Sequence, residues 1–392
     1  MIDLDRNAGA PLRAEALAAM QAVWADRTLG NPSSVHRPGQ RARALLERAR
    51  RTIAATLGAT PAEVVFTSGG TEADALAILG LSRGLRALGR PCGVACTAIE
   101  HPAVTAATRR LADDGVAVHT LAVDAQGRLV PDAVAETLAA QPEIGVLSIT
   151  AAHHELGNVP PLAAIAAAVR ARRPELLLHV DAVQAYGRLP LSRAALGADA
   201  LSVSAHKLGG PVGIGALVVA REAPLAPLVI GGAQQHGRRG GTESVALAVG
   251  FAAAATAALA TREHDQLRVR GLLERLRAIV QSAGGELLGD REHHVGNTAL
   301  VRFDDCDAHT LMIALDLAGI VCSTGAACSS GTVEPSPVLR ALGFDAAAAR
   351  GALRFSLAPE HGDAELAQLA AVLPECLSRV RAAVHPAPRG TP

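Results

Sequence analysis

Lys207 is the single lysine among 37 basic side chains, the rest being arginine. A guanidinium does not deprotonate at ordinary pH and forms no imine, so amine chemistry in this chain has one candidate, a Schiff base on Lys207. The stretch Ser202-Val203-Ser204-Ala205-His206-Lys207-Leu208-Gly209-Gly210-Pro211 reads as a strand end running into a Gly-rich turn. Ligands of open α/β sheets gather beyond the carboxyl ends of the strands. If the stretch stays extended, Ser204 and His206 share one side and can donate to a phosphate, while Lys207 points the other way, toward an aldehyde. A charged surface loop is the alternative.

Four further segments carry chemistry. In Leu178-His179-Val180-Asp181-Ala182-Val183-Gln184, Asp181 ends an apolar strand, where a lone carboxylate is costly without a partner. A protonated pyridine nitrogen is such a partner and keeps the ring an electron sink, with Gln184 in reach of the ring oxygen; an Asp capping the next helix is the alternative. Thr67-Ser68-Gly69-Gly70-Thr71-Glu72-Ala73 joins a strand to a helix, whose first N–H groups, those of Gly70 and Thr71, can bind phosphate or simply be capped. It lacks the GK[ST] of a P-loop. In Ile99-Glu100-His101-Pro102-Ala103, His101 lies between strand and helix, where its ring can cover a planar cofactor or merely start the helix. In Cys322-Ser323-Thr324-Gly325-Ala326-Ala327-Cys328-Ser329-Ser330-Gly331, Cys328 sits among small residues in a loop suited to carrying a thiolate, and Cys322 ends a strand and is expected to be buried.

The elements that must position these residues alternate through the first two-thirds of the chain. Strands are predicted at 63–67, 93–97, 116–123, 144–150, 176–180, 200–203 and 215–219, with helices at 71–88, 103–111 and 162–172 between them. That order predicts an α/β fold with a mostly parallel, helix-covered sheet. Helical stretches over 242–260 and onward to 282 follow, ended by Ala283-Gly284-Gly285. A smaller α+β unit is predicted next: strands at 299–303, 320–322 and 352–357, helices at 308–318 and 364–382.

Composition narrows the class. The 392 residues are 49% hydrophobic, enough for a large core. Formal net charge is zero, giving no support for nucleic-acid or anionic-membrane binding. No apolar run of about 18 residues is free of charge or turn residues, and Met1-Ile2-Asp3-Leu4-Asp5 lacks a signal-peptide pattern, so a cytoplasmic protein is expected. Six cysteines are too sparse for a disulfide framework, and no ligand set for a metal accompanies the adjacent His153 and His154.

Taken together, these segments resemble the NifS/IscS-like cysteine desulfurases of the class V aminotransferase family, of PLP (pyridoxal 5'-phosphate) fold type I. The likeness runs through 30–36, 68–72, 100–101, 179–184, 204–207, 238–243 (Arg-Arg-Gly-Gly-Thr-Glu), the Cys328 loop and 353–357. It implies a seven-stranded, mostly parallel sheet domain (16–260) and a smaller α+β domain (261–384) carrying the catalytic loop. Residues 1–15 would pack with the small domain, and 385–392 would be a disordered tail. It also implies a homodimer with PLP at the subunit boundary. By the same resemblance Lys207 holds the cofactor as an imine, His101 stacks on the ring, Asp181 pairs with the pyridine nitrogen and Gln184 contacts the ring oxygen. Gly70, Thr71, Ser204 and His206 hold the phosphate, with Thr242 arriving from the partner subunit, and Arg354 clamps the substrate carboxylate. L-Cysteine would yield L-alanine and a persulfide on Cys328, passed to an acceptor such as an iron–sulfur scaffold or a tRNA-thiolation relay.

Three departures stand out. The family's Asn-Asn-Glu-x-Gly is His153-His154-Glu155-Leu156-Gly157 here, which puts His154 where an Asn touches cofactor and substrate; Ala-Thr-Thr is Ala8-Gly9-Ala10; and Pro-Ser-His is Pro335-Ser336-Pro337. These bear on substrate choice and rate, so a related PLP-dependent C–S or selenocysteine lyase, an aminotransferase, and a non-catalytic sulfur-relay partner are the competing expectations.

Overall fold

The computed structural model describes residues 1–324 and 336–384. In chain order the elements are β1 (Ile2–Asp3), α1 (Ala14–Ala25), α2 (Arg37–Thr56), β2 (Val64–Thr67), α3 (Gly70–Ala87), β3 (Gly93–Thr97), α4 (Pro102–Asp113), β4 (Val118–Leu121), α5 (Pro131–Ala139), β5 (Ile144–Thr150), α6 (Leu162–Arg172), β6 (Leu177–Asp181), β7 (Ala200–Ser204) and β8 (Gly215–Val219). There follow α7 (Val245–Ser282), β9 (Gly285–Leu288), β10 (Thr298–Phe303), α8 (Ala308–Leu317), β11 (Ile320–Val321), α9 (Pro337–Ala341), β12 (Ala352–Ser356) and α10 (Asp363–Val384).

Seven strands form one sheet in the order β2-β8-β7-β6-β5-β3-β4. Every neighbouring pair is parallel except those of β8, which runs against both β2 and β7. β5, β6, β7 and β8 are buried along their whole length or nearly so, as strands covered by helices on both faces must be. The parallel register sets Thr150 beside Asp181 and Asp181 beside Ser202, so the carboxyl ends of three central strands meet. α3 buries Leu76, Leu81 and Leu85 in one core cluster; each such burial stabilises by roughly 1.5–3 kcal/mol.

The second core lies around the antiparallel sheet β12-β10-β9. β1 pairs with β11, and a bridge between Asp5 and Ser356 runs the N-terminal segment alongside β12. That segment then reaches the large sheet, where the Ala10 N–H donates to His206 O at 3.0 Å.

Several expectations need correction. The stretch after Ser204 is not extended: residues 205–208 form a 3-10 turn closed by Gly209 at φ +85°. A Cβ on Gly210 would come within 2.8 Å of Ala205 Cβ, so the turn needs its glycines for close approach as well as for the left-handed backbone. Ser204 and His206 do share a side, through the turn and not through strand alternation. Residues 245–282 are one helix of 38 residues, since no proline interrupts them. The boundary at 260/261 falls inside that helix, which packs on α1 and α2 at one end and on α10, β9 and β10 at the other. An 18-residue stretch of α7 is apolar enough to cross a membrane, and half of it is buried in the fold. β1, α1, α2, α5, α9 and β9 have no counterpart in the elements predicted from the sequence.

Candidate active site

Lys207 projects from the turn after β7 toward the N-terminal segment, and its Nζ donates to Asn7 O at 2.6 Å and to Ala8 O at 3.0 Å. Beside it, Ser204 Oγ lies 2.8 Å from His206 Nδ1. Burial and the Lys207 charge push His206 down to about 4, so its ring is neutral at physiological pH. Gly69 caps α3 with no side-chain hydrogen bond, and a Cβ on Gly70 would meet Val183 and Ser204. The uncapped first turn of α3, with Gly70 and Thr71, therefore opens against Ser204, as an anion site at a helix N-terminus does.

Asp181 ends β6 with 5% exposure, and its Oδ1 accepts the Val183 N–H at 2.9 Å. Burial pushes its pKa up, while His101, that N–H and Lys207 act against the shift. On the same face of β6 lies His179, fully buried, its ring nitrogens 2.9 Å from Ser148 Oγ and 2.8 Å from Ser202 Oγ. Asp74 of α3 stands 3.6 Å from His179 Nε2, and burial together with Asp181 raises its pKa well above the usual value. Glu100, also buried, is pushed up to about 8, chiefly by burial and further by Asp181. Burial holds all three carboxyls toward their neutral forms, and of the three Asp181 is the one that His101 and Lys207 pull back toward ionisation.

The other wall is assembled from distant parts. His101 Nδ1 accepts the Ala103 N–H at 3.1 Å, so His101 both caps α4 and keeps Nε2 for other work. Its ring meets His154 edge-on, centroids 5.1 Å apart, and His154 stacks on His153 at 4.7 Å. His153 Nδ1 accepts the N–H groups of Glu155 and Leu156, and its Nε2 lies 2.6 Å from Ile99 O, so His153 is the residue that shapes the turn. Arg354 of β12 is buried; it donates to Asp5 Oδ1 at 2.6 Å and to His154 O at 3.0 Å, and its Nε has no partner among the described residues. Asn7 ties these walls together: its side-chain nitrogen donates to His154 O and to Thr298 Oγ1, and its carbonyl takes both Lys207 and Gln184 Nε2.

A cavity of about 650 Å³ opens beside Lys207, lined also by Arg13, Arg188, Gly209 and Asn297. His101, Asp181, Ser204 and His206 are not in that lining, so it lies to one side of their cluster. The class-V aminotransferase family matches residues 2–369. The chain is 39% identical over 388 residues to an IscS-like cysteine desulfurase of Mycobacterium tuberculosis, covering 98% of each. Among solved structures it is similar to a NifS-like protein (TM-score 0.89, 30% identity, 96% of this chain and 99% of that one). It is also similar to SspA in complex with cysteine (TM-score 0.79, 30% identity, 92% of this chain and 99% of that one).

The chain belongs to the class-V aminotransferase family.

The family's fold is PLP fold type I, and its cofactor is pyridoxal phosphate. The residues of this class-V chain fit that group: the chain's single lysine amine, a buried carboxylate at a strand end, an uncapped helix N-terminus and an Arg354 Nε without a partner among the described residues converge on one region.

Gln184 reaches the region through Asn7, its Nε2 donating to the same Asn7 O that takes Lys207, while Arg188 donates to its Oε1. Not every predicted residue joins them. Thr242 is exposed and lines a separate cleft with Thr67, Ser68 and Gly213. Cys328 lies outside the described residues. The described buried thiols are poor nucleophiles: burial pushes Cys96 and Cys322 to about 12 and Cys306 to about 11. Sequence reading missed Asn7 and Asp5, whose contacts are with residues hundreds of positions away; the departure at Ala8-Gly9-Ala10 drew the eye to their neighbours instead.

Proposed function

We infer that the protein is a PLP-dependent cysteine desulfurase that converts L-cysteine to L-alanine and leaves the sulfur as a persulfide on Cys328. The observation that carries this is the convergence of Lys207, Asp181, His101 and Arg354 on one region of a chain 39% identical, nearly end to end, to a named cysteine desulfurase. When bound, the cofactor supplies an electron sink for charge developing at the substrate α-carbon. Lys207 Nζ would be the point of attachment for its aldehyde and the base that moves the proton at the substrate Cα. Asp181 would pair with the pyridine nitrogen, His101 would cover the ring and Gln184 would contact the ring oxygen. Gly70, Thr71, Ser204 and His206 hold the phosphate, together with Thr242 of the second subunit of a homodimer. Arg354 holds the substrate carboxylate, the fork of its guanidinium matching two oxygens, and His154 lines the place of the substrate.

Cys328 Sγ takes the substrate sulfur, and an acceptor protein, an iron–sulfur scaffold or tRNA-thiolation relay in the cytoplasm, removes it. Alanine release from L-cysteine tests the reading. In Cys328→Ala it should be lost with the cofactor's visible absorbance kept; undiminished alanine release in that variant overturns the persulfide role. A substrate panel separates this activity from a selenocysteine lyase or an aminotransferase.

A further inference from the structure

Between β8 and α7 the chain forms a closed loop whose backbone is bent against its preference. We propose that Gln235 is a positioning residue of that loop: its side chain fixes Glu243, and with it the adjacent Thr242, in the place from which the Thr242 hydroxyl reaches a cofactor phosphate. This rests on the reading that gives Thr242 that role, and adds the residue that makes the role possible.

The loop is pinched at its base. The Gly240 N–H donates to Val229 O at 2.8 Å, and a Cβ on Gly240 would come within 2.7 Å of the Gly231 backbone, so the two legs touch. Within the loop Gln235 (φ +49°, ψ +41°), His236 (φ +58°, ψ +33°) and Gly237 (φ +75°) stand in succession in the left-handed region. Residues with a Cβ enter that region at a cost, and among the described residues Asp305 is the only other non-glycine there. Two in a row persist where the surroundings hold them, and strain of this kind gathers where a segment has work to do.

The Gln235 side chain, 3% exposed, does the holding. Its Oε1 accepts from Arg50 Nη1 and from the Phe66 N–H, each at 2.8 Å. Phe66 belongs to β2, the outermost strand of the large sheet, so the amide caps a backbone donor at the sheet's edge. Arg50 is itself buried, donates to Val64 O at 2.6 Å and lies over the Phe66 ring, 5.0 Å from its centre. The amide nitrogen takes hold of the far leg: Gln235 Nε2 donates to Glu243 Oε1 at 3.0 Å.

Gln234 grips the other side of Thr242, its Oε1 accepting the Gly241 N–H at 3.2 Å. Thr242 is thus bracketed by two anchored neighbours while its own side chain stays exposed. Arg239 ties the same loop to α3: Nε donates to Glu72 Oε1 at 2.9 Å and Nη2 to Oε2 at 3.3 Å. The loop therefore stands on the turn that carries Gly70 and Thr71. A carboxylate at residue 235 would keep both acceptor contacts and gain a charge partner in Arg50. It would lose the donor to Glu243 and set two carboxyls against each other, which frees the far leg without removing the anchor at β2.

The test compares pyridoxal 5'-phosphate with pyridoxal, which has the aldehyde and ring but no phosphate. Each is titrated into the full-length chain stripped of cofactor, and binding is read from visible absorbance. The ratio of the two dissociation constants isolates the hold on the phosphate. Thr242→Val should shrink that ratio about tenfold, the loss of one hydrogen bond to a charged group. Gln235→Glu should shrink it about fivefold with the affinity for pyridoxal kept. Adding Glu243→Gln, which restores the hydrogen bond with donor and acceptor exchanged, should bring the ratio back. An unchanged ratio in Gln235→Glu beside a lowered one in Thr242→Val would overturn the proposal and leave the phosphate role of Thr242 standing. Equal loss of both affinities in Gln235→Glu would overturn it too, marking Gln235 as a part of the fold alone. An unchanged ratio in Thr242→Val would overturn the role of Thr242 and the proposal with it.

Discussion

The two walls of the site are built in opposite ways. The wall proposed for the cofactor, with Asp181, Ser204, His206, Lys207 and the first turn of α3, comes from the ends of adjacent strands and the helix packed on them. The wall proposed for the substrate, with Asp5, Asn7, His154 and Arg354, is gathered from the N-terminal segment, a turn after β5 and a strand of the small sheet. On the first wall side chains do the holding, so their types are constrained. On the second much of the holding is by backbone: the carbonyl of residue 154 receives both Asn7 and Arg354. A side chain there can change without loosening the wall.

The comparison breaks most sharply at Lys207. Lys207→Ala should abolish the visible absorbance of bound cofactor and lower turnover by at least about 10³-fold, both read from purified protein. Arg354→Ala strikes the opposite wall and should behave differently. The absorbance should stay, while KM for L-cysteine rises about 10²-fold, or roughly 3 kcal/mol, the cost of losing charged hydrogen bonds and leaving Asp5 without its partner. Loss of the absorbance in that variant would mean that the walls are not separable.

The smallest effect concerns the turn beneath the substrate wall. Burial holds His153 at about 3, against 6.5 for an ordinary histidine. The unfolded chain therefore binds a proton between those values that the folded chain refuses, so the stability His153 contributes is complete above pH 6.5 and is lost as pH falls toward 3. His153→Asn keeps an acceptor for the N–H groups of Glu155 and Leu156 and removes this titration. The drop in Tm from neutral to acid pH, measured by thermal melts, should shrink by a few degrees.

Legibility in the sequence followed the same division. The strand–turn–helix signals around Asp181, Gly70 and Lys207 depend on local patterns, and the central strands fell where alternation put them. The geometry after Ser204 escaped because Gly209 and Gly210 curl the chain, which strand periodicity does not register. Asp5 and Asn7 escaped because their value lies in partners such as Arg354 and Thr298, reached only when β1 pairs with β11. The short β9 and the helix α1 lack strong boundary signals, and packing on α7 defines α1; α2 does carry them, in Pro38 of its first turn and Gly58 at φ +60° just past its end, and the reading of the sequence did not use them.

α7 joins the regions that carry these walls as one uninterrupted rod of 38 residues, about 57 Å long at 1.5 Å per residue. A rod of that kind resists bending far more than a flexible linker does, so it acts as a mechanical strut: it fixes the angle between clamp and cofactor shelf, and any motion that changes their spacing must flex a helix or slide it along its neighbours.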